Sequence, residues 1–219
     1  MKENKLKIFI DFDDVVFDTK KFVADYKNAF FSHGISPEKF EECYYDYPKK
    51  NGDGTISKYE FRGHLERLRI GCPEADMGAV EKEVLFLLQN AEKYLFDDTK
   101  EFMLSLDDCD IKLISYGDAV FQREKINRSG IVGYVSDIVI TDKMKSQAIA
   151  QFVDKKENQK FVFIDDRIEQ LADVKKNFPQ IATFLMKRPE GRYDDEFDAK
   201  FCDYEVHNLH EVIDIIKKL

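Results

Sequence analysis

No apolar run in this sequence approaches the roughly 18 to 20 residues that a membrane helix needs. A secretory leader is not expected either. After Met1-Lys2-Glu3-Asn4-Lys5-Leu6-Lys7 the apolar run stops at Asp11, which is too short for a leader core, and it ends in acids instead of small residues. The expected location is therefore cytoplasmic. Cysteine is sparse: Cys43, Cys72, Cys109 and Cys202 form no Cys-x-x-Cys pair, so no zinc site is expected and free thiols are. Basic residues are in the minority, 34 Lys and Arg against 43 Asp and Glu, for a net charge of −9. A nucleic-acid binder that works by counterion release needs the opposite balance, so nucleic acid is not an expected partner. An anionic substrate stays open, because a local metal ion can reverse the sign of the field in a pocket. No internal repeat and no low-complexity linker divides the chain.

What is present suits a folded enzyme-sized unit. The 219 residues are 43% apolar and 13% aromatic, enough for one compact domain, or for one domain carrying a smaller insert. Two textures alternate along the chain. Short apolar runs that end in polar residues occur at Lys7–Phe12, Ile111–Ser115, Asp137–Ile140, Phe161–Ile164 and Ile181–Met186. Helix-like stretches lie near Phe121–Ser129, Ser146–Val153, Ile168–Asn177 and Leu209–Lys218, with Gly130 and Pro179 as helix stops. Buried strands alternating with helices predict a doubly wound α/β fold around a parallel sheet. The second texture, from Lys20 to about Phe96, is helical throughout. Val80, Val84, Leu87, Leu88, Ala91 and Leu95 make one apolar stripe, Ser36-Pro37 reads as a helix start, and Ser57 with Glu60 has capping-box spacing. The expected division is an α/β core over 1–19 and 97–219 with a helical insert over 20–96. Ligands of such sheets bind beyond the carboxyl ends of the strands, so an insert leaving that edge can act as a lid.

Two strand ends concentrate acid. Ile8-Phe9-Ile10-Asp11-Phe12-Asp13-Asp14 delivers Asp11 and Asp13 where the first strand leaves the sheet, and Phe161-Val162-Phe163-Ile164-Asp165-Asp166 does the same later. One acidic strand end is as readily a helix cap. Two in one parallel sheet bring several carboxylates into one crevice, where they repel each other unless a cation intervenes. All-oxygen donors suit a hard divalent ion, and Mg²⁺ is the usual one with phosphates.

Asp11-Phe12-Asp13-Asp14-Val15-Val16 resembles the first motif of the haloacid dehalogenase-like hydrolase superfamily. Leu113-Ile114-Ser115-Tyr116-Gly117-Asp118 is similar to its second motif, Asp142-Lys143-Met144-Lys145-Ser146 to the third, and Ile164-Asp165-Asp166-Arg167 to the fourth. The order is kept over roughly 140 residues, which is most of the expected core. The resemblance implies a Rossmann-like core with a cap inserted after the first motif. It also implies a Mg²⁺-dependent phosphatase that acts on a small phosphorylated metabolite through an aspartyl-phosphate on Asp11. Asp13 is then the general acid/base, and it needs burial and neighbours to hold a proton near neutrality. Ser115, Tyr116, Gly117 and the motif lysine would contact the phosphoryl group. Asp11, Asp13 (through its backbone carbonyl), Asp165 and Asp166 would hold the metal. Lys143 and Lys145 both precede a helix, and the resemblance favours Lys145. This sequence departs from the family pattern at Asp14, where Gly is most frequent, and at Val15, where Thr is common. Relatives that cleave carbon–halogen or carbon–phosphorus bonds lack the second acid, so Asp13 points to phosphate esters. A phosphomutase, or a binding or regulatory protein on the same fold, is the alternative.

The insert holds two further candidates. Lys49, Lys50, Lys58, Arg62, Arg67 and Arg69, with His64 among them, are either an anion-facing patch or a solvated helix face with Arg62 and Glu66 paired. Lys49 to Glu60 has EF-hand spacing, with Asn51, Asp53, Gly54, Ile56 and Glu60 at loop positions 3, 5, 6, 8 and 12. Lys49 occupies the first ligand position, which removes a ligand and adds repulsion. The expected reading is a glycine turn into the next helix, with calcium as the alternative. The sequence predicts no oligomeric state.

Overall fold

A computed structural model describes residues 6–44, 59–153, 159–192, 198 and 200–218. In chain order its regular elements are β1 (Lys7–Ile10), α1 (Thr19–Phe31), α2 (Pro37–Tyr44), α3 (Phe61–Gly71), α4 (Met77–Gln89), α5 (Thr99–Ser105), β2 (Asp110–Tyr116), α6 (Ala119–Arg128), β3 (Asp137–Thr141), α7 (Lys145–Ile149), β4 (Phe161–Asp165), α8 (Ile168–Asn177), β5 (Ala182–Met186), β6 (Tyr204–Val206) and α9 (Leu209–Ile216). The six strands form one parallel sheet in the order β3-β2-β1-β4-β5-β6. This is the doubly wound order, and its switch point lies at β1, where the chain first runs outward to one side and later to the other. Gly130 ends α6 in the left-handed region (φ 80°), where no Cβ stands in the way.

Alternation along the strands covers both faces of the sheet. Ile8 and Ile10 of β1, with Val162 and Ile164 of β4, belong to one buried cluster that also takes in α1, α4, α6 and α9. Phe9, Phe161 and Phe163 point the other way, into a second cluster with Ile149 of α7 and Leu171 and Val174 of α8. Strands buried on both faces read as continuous apolar runs, which is why the sheet is legible in the sequence.

The helices α1 to α4, which follow β1 and precede β2 in the chain, form a layer of their own. The larger buried cluster continues into it through Phe22, Phe30, Phe40, Leu65, Leu68, Val80 and Val84. The backbone is stitched where this layer joins the sheet: Asp18 N donates to Tyr94 O (2.7 Å) and Phe96 N to Val16 O (3.1 Å). Arg188, just beyond β5, grips the same place. Its guanidinium meets Asp98 at 2.7 and 2.8 Å and donates to Val15 O at 2.7 Å, all of it buried. A planar fork satisfied on both sides makes this pair a rigid tie.

Three details of the insert differ from expectation. Glu60 is the N-cap of α3 and makes no side-chain cap bond, so it does not serve as the third residue of a capping box. His64 is fully buried, with Nδ1 3.3 Å from Tyr59 Oη and Nε2 3.3 Å from Phe40 O. Burial lowers its pKa to about 4, so it is a neutral core residue and faces no anion. Glu66 lies 3.7 Å from Arg69, which also pairs with Glu81 of α4, so the acid is engaged one turn along from Arg62 and the face is cross-linked to α4. Residues 49–58 of the calcium-like loop, with Lys49, Lys50 and Lys58, lie outside the described residues.

Candidate active site

β1 pairs with β2 on one side and β4 on the other, Ile10 standing opposite both Leu113 and Ile164. One step further along, Asp11 leaves the sheet level with Asp165, and its amide donates to Ile164 O at 3.0 Å. The acids of two adjacent strands are thus delivered side by side at the switch point. Carboxylate oxygens of Asp11, Asp165 and Asp166 lie within 4.8 Å of one another, and all three residues are buried.

Lys145 is the cation among them. It opens α7 on the face of the second cluster, and its Nζ lies 2.7 Å from Asp11 Oδ1 and 2.6 Å from Asp165 Oδ2. Its amide is fixed by Gln170 Oε1 at 3.0 Å. Burial works against its charge, but Asp11 and Asp165 outweigh that and raise its pKa. Lys143 is exposed, and its amide closes a turn on Thr141 Oγ1 at 3.0 Å. Of the two lysines before α7, Lys145 is the one that meets the acids.

One cation does not balance three buried carboxylates. Burial, and then the neighbouring acids, push Asp11 up to about 7 against the pull of Lys145. The same causes raise Asp166 well above the carboxylate range, and its Oδ2 is buried without a hydrogen-bond partner. A clustered all-oxygen donor set with an unsatisfied buried oxygen fits a small divalent cation, and the residues that would hold it are Asp11, Asp165 and Asp166.

Asp13 turns the other way. Its Oδ1 accepts from Thr19 Oγ1 at 2.7 Å and from Lys125 Nζ at 2.6 Å, and its Oδ2 accepts from Gln122 Nε2 at 2.6 Å. Lys125 is buried under the rings of Phe17, Phe22 and Phe12 at 5.1, 5.4 and 5.5 Å. Burial alone would raise Asp13, but Lys125, Arg192 and Thr19 together hold it well below the usual carboxylate range. The sequence reading expected its surroundings to retain a proton near neutrality; in this arrangement they hold the ionised form.

Ser115 is fully buried near the end of β2, and its Oγ accepts from Gln122 Nε2 at 2.8 Å. Tyr116, the last residue of β2, is exposed, and Gly117 follows in the left-handed half of conformational space (φ 150°). Asp14 also has positive φ (57°). It is buried, with Oδ2 2.5 Å from Arg192 Nε and Oδ1 without a partner. No sequence motif singles out Gln122, Lys125 or Arg192.

No protein-family model matches the chain, and no curated protein matches it. Solved structures do. A haloacid dehalogenase-like hydrolase from Burkholderia xenovorans is 18% identical with a TM-score of 0.73, and the match covers 98% of each chain. A 2-haloacid dehalogenase from Pseudomonas syringae is 15% identical with a TM-score of 0.66, covering 98% of this chain and 99% of its own. The HAD-hydrolase YfnB from Bacillus subtilis, described as bound to magnesium, is 15% identical with a TM-score of 0.65, covering 98% of this chain and 99% of its own. At these identities the likeness concerns architecture: the chain has the fold of the haloacid dehalogenase-like hydrolases.

Proposed function

We propose that this chain is a Mg²⁺-dependent phosphatase that hydrolyses a small phosphorylated metabolite through an aspartyl-phosphate on Asp11. The observation that carries the reading is the pair of carboxylates on the turn after β1. Asp11 sits in the acidic cluster beside Lys145, and Asp13 sits two residues on, in a separate polar network. A carbon–halogen bond needs no proton delivered to its leaving group, whereas an ester oxygen does. A second acid, half-buried and joined to Ser115 through Gln122, therefore favours phosphate esters over haloacids.

Each residue has a task. Asp11 attacks phosphorus and holds the phosphoryl group, which splits one difficult displacement into two easier ones. Lys145 favours the ionised form of Asp11 and offsets charge on the phosphoryl oxygens. Ser115 donates its hydroxyl to one of those oxygens, and Tyr116 and Gly117 line the same edge. Asp13, in the ionised form that Lys125, Thr19 and Gln122 hold, takes the proton from the water that opens the aspartyl-phosphate. Delivering a proton to the leaving oxygen in the first step requires Asp13 to loosen from Lys125 and first take up a proton, from solvent or from the water it deprotonated in the preceding turnover. Asp11, Asp165 and Asp166, with the Asp13 carbonyl, would hold Mg²⁺, which would supply charge neutralisation for the transferring group. Residues 20–96 act as the cap over a core of 1–19 and 97–219, excluding water and selecting the substrate.

The test is a phosphate-release screen over many metabolites, with and without Mg²⁺, on the wild type and Asp11→Asn. The reading expects Mg²⁺-dependent release that Asp11→Asn abolishes. Release unchanged in that variant, or halide release from haloacids without phosphate release, would overturn it.

A further inference from the structure

We infer that Gln122 is a positioning residue that sets the side chains of Asp13 and Ser115 with a single amide. Its Nε2 stands 2.6 Å from Asp13 Oδ2, 2.8 Å from Ser115 Oγ and 3.4 Å from Tyr116 O. A side-chain amide has two N–H donors, and the two shorter contacts use both. Because Ser115 Oγ accepts from the amide, the hydroxyl hydrogen points away from Gln122 and is available to another acceptor. The amide thus fixes which way Ser115 donates and, in the same step, occupies the outer oxygen of Asp13.

The surroundings hold Gln122 in this role. Its side chain is buried on α6, whose start is capped by Asp118 Oδ1 on Phe121 N at 2.8 Å. Lys125 lies one turn along the same helix and takes the other oxygen of Asp13, so α6 grips both edges of that carboxylate. Gly117 makes the room: a Cβ there would stand 3.0 Å from Gln122 Cγ. On the neighbouring face of α6, Phe121 stacks on Phe61 (ring centroids 5.1 Å) and meets Tyr26 and Tyr59, each at 5.8 Å. The helix that orients Asp13 and Ser115 is therefore also the one against which the α1–α4 layer rests.

The kinetic side of this inference rests on the phosphatase reading; the structural side does not. Two variants test it. Gln122→Met keeps the length and unbranched shape without donors, and Gln122→Glu keeps the outline and replaces donors by acceptors. Both are expected to lower kcat/KM by about 10- to 100-fold, the scale of a misplaced reacting group. The loss should be larger for an alkyl phosphate than for p-nitrophenyl phosphate, whose leaving group departs without a proton. Crystal structures of the variants should show Asp13 or Ser115 in a new rotamer. Full activity with an unchanged leaving-group preference in either folded variant, or wild-type rotamers of both residues, would overturn the inference. A wild type inert towards all phosphate esters would instead sink the phosphatase reading and leave the rotamers to decide this one.

Discussion

Arg192 Nε donates to Asp14 Oδ2 over 2.5 Å, joining the segment after β5 to the turn that follows the candidate nucleophile, 178 residues away in sequence. Asp14 is buried in the left-handed region, where a non-glycine residue is strained by about 1–2 kcal/mol. Its carboxyl is raised by burial, and Arg192 opposes that. Removing the arginine alone leaves a buried acid with neither oxygen paired. Arg192→Gln is therefore expected to destabilise the fold by about 1–3 kcal/mol. Asp14→Gly, which suits the backbone and removes the acid, should cost less, and the double variant should recover most of the Arg192→Gln loss. Denaturant unfolding of the four proteins, read as a double-mutant cycle, checks this; strict additivity would show that the pair is not coupled.

The acidic cluster makes stability depend on pH and, on the proposed reading, makes the effect of Mg²⁺ depend on pH as well. A carboxyl whose folded pKa lies above its unfolded value binds more protons when folded, so the metal-free protein loses stability as pH rises through the interval between the two. For Asp11 that interval runs from 3.8 to about 7, and Asp166 acts in the same direction. Asp13 has the opposite sign and contributes stability that is lost on acidification below its unfolded value. Mg²⁺ competes with the protons on Asp11 and Asp166. It should therefore raise the melting temperature more at pH 7.5 than at pH 5.5. An equal or larger effect at the lower pH would contradict the cluster as the metal site.

Gly117→Ala puts a methyl group 3.0 Å from Gln122 Cγ on a backbone with φ 150°, which L side chains rarely adopt. The variant should lower activity by shifting Gln122, although residue 117 makes no side-chain contact with Asp13 or Ser115. The expected result is a kcat loss of about 10-fold or more, as for a modest displacement of reacting groups. Wild-type kcat would show that the amide tolerates the shift.

Much of this was legible from residue order. The inner strands β1, β2, β4 and β5 announce themselves as apolar runs because they are buried on both faces, β3 is a half-buried edge strand that keeps the apolar run Ile138-Val139-Ile140, and β6 escapes because Tyr204–Val206 is three residues long with Glu205 at its centre. Asp11, Asp165 and Asp166 were readable as acids at strand ends, and Lys145 as the lysine abutting a helix. Gln122 and Lys125 were not, since polar residues on a helix usually face water. Their spacing was the available signal: Gln122, Lys125, Ile126 and Ser129 fall on one helical face, and all four are buried. Arg192 was hidden for a different reason, because its partner is distant in sequence and no periodicity links a loop to a turn.

The central claim is that Asp11 takes the phosphoryl group. Acid quenching during turnover of a phosphate ester, followed by peptide mass spectrometry, tests it most directly. The account predicts one phosphoryl group on the peptide that contains Asp11, absent from Asp11→Asn and from samples without Mg²⁺. Steady turnover with the phosphoryl group on another residue, or with no phosphorylated peptide at all, would contradict it.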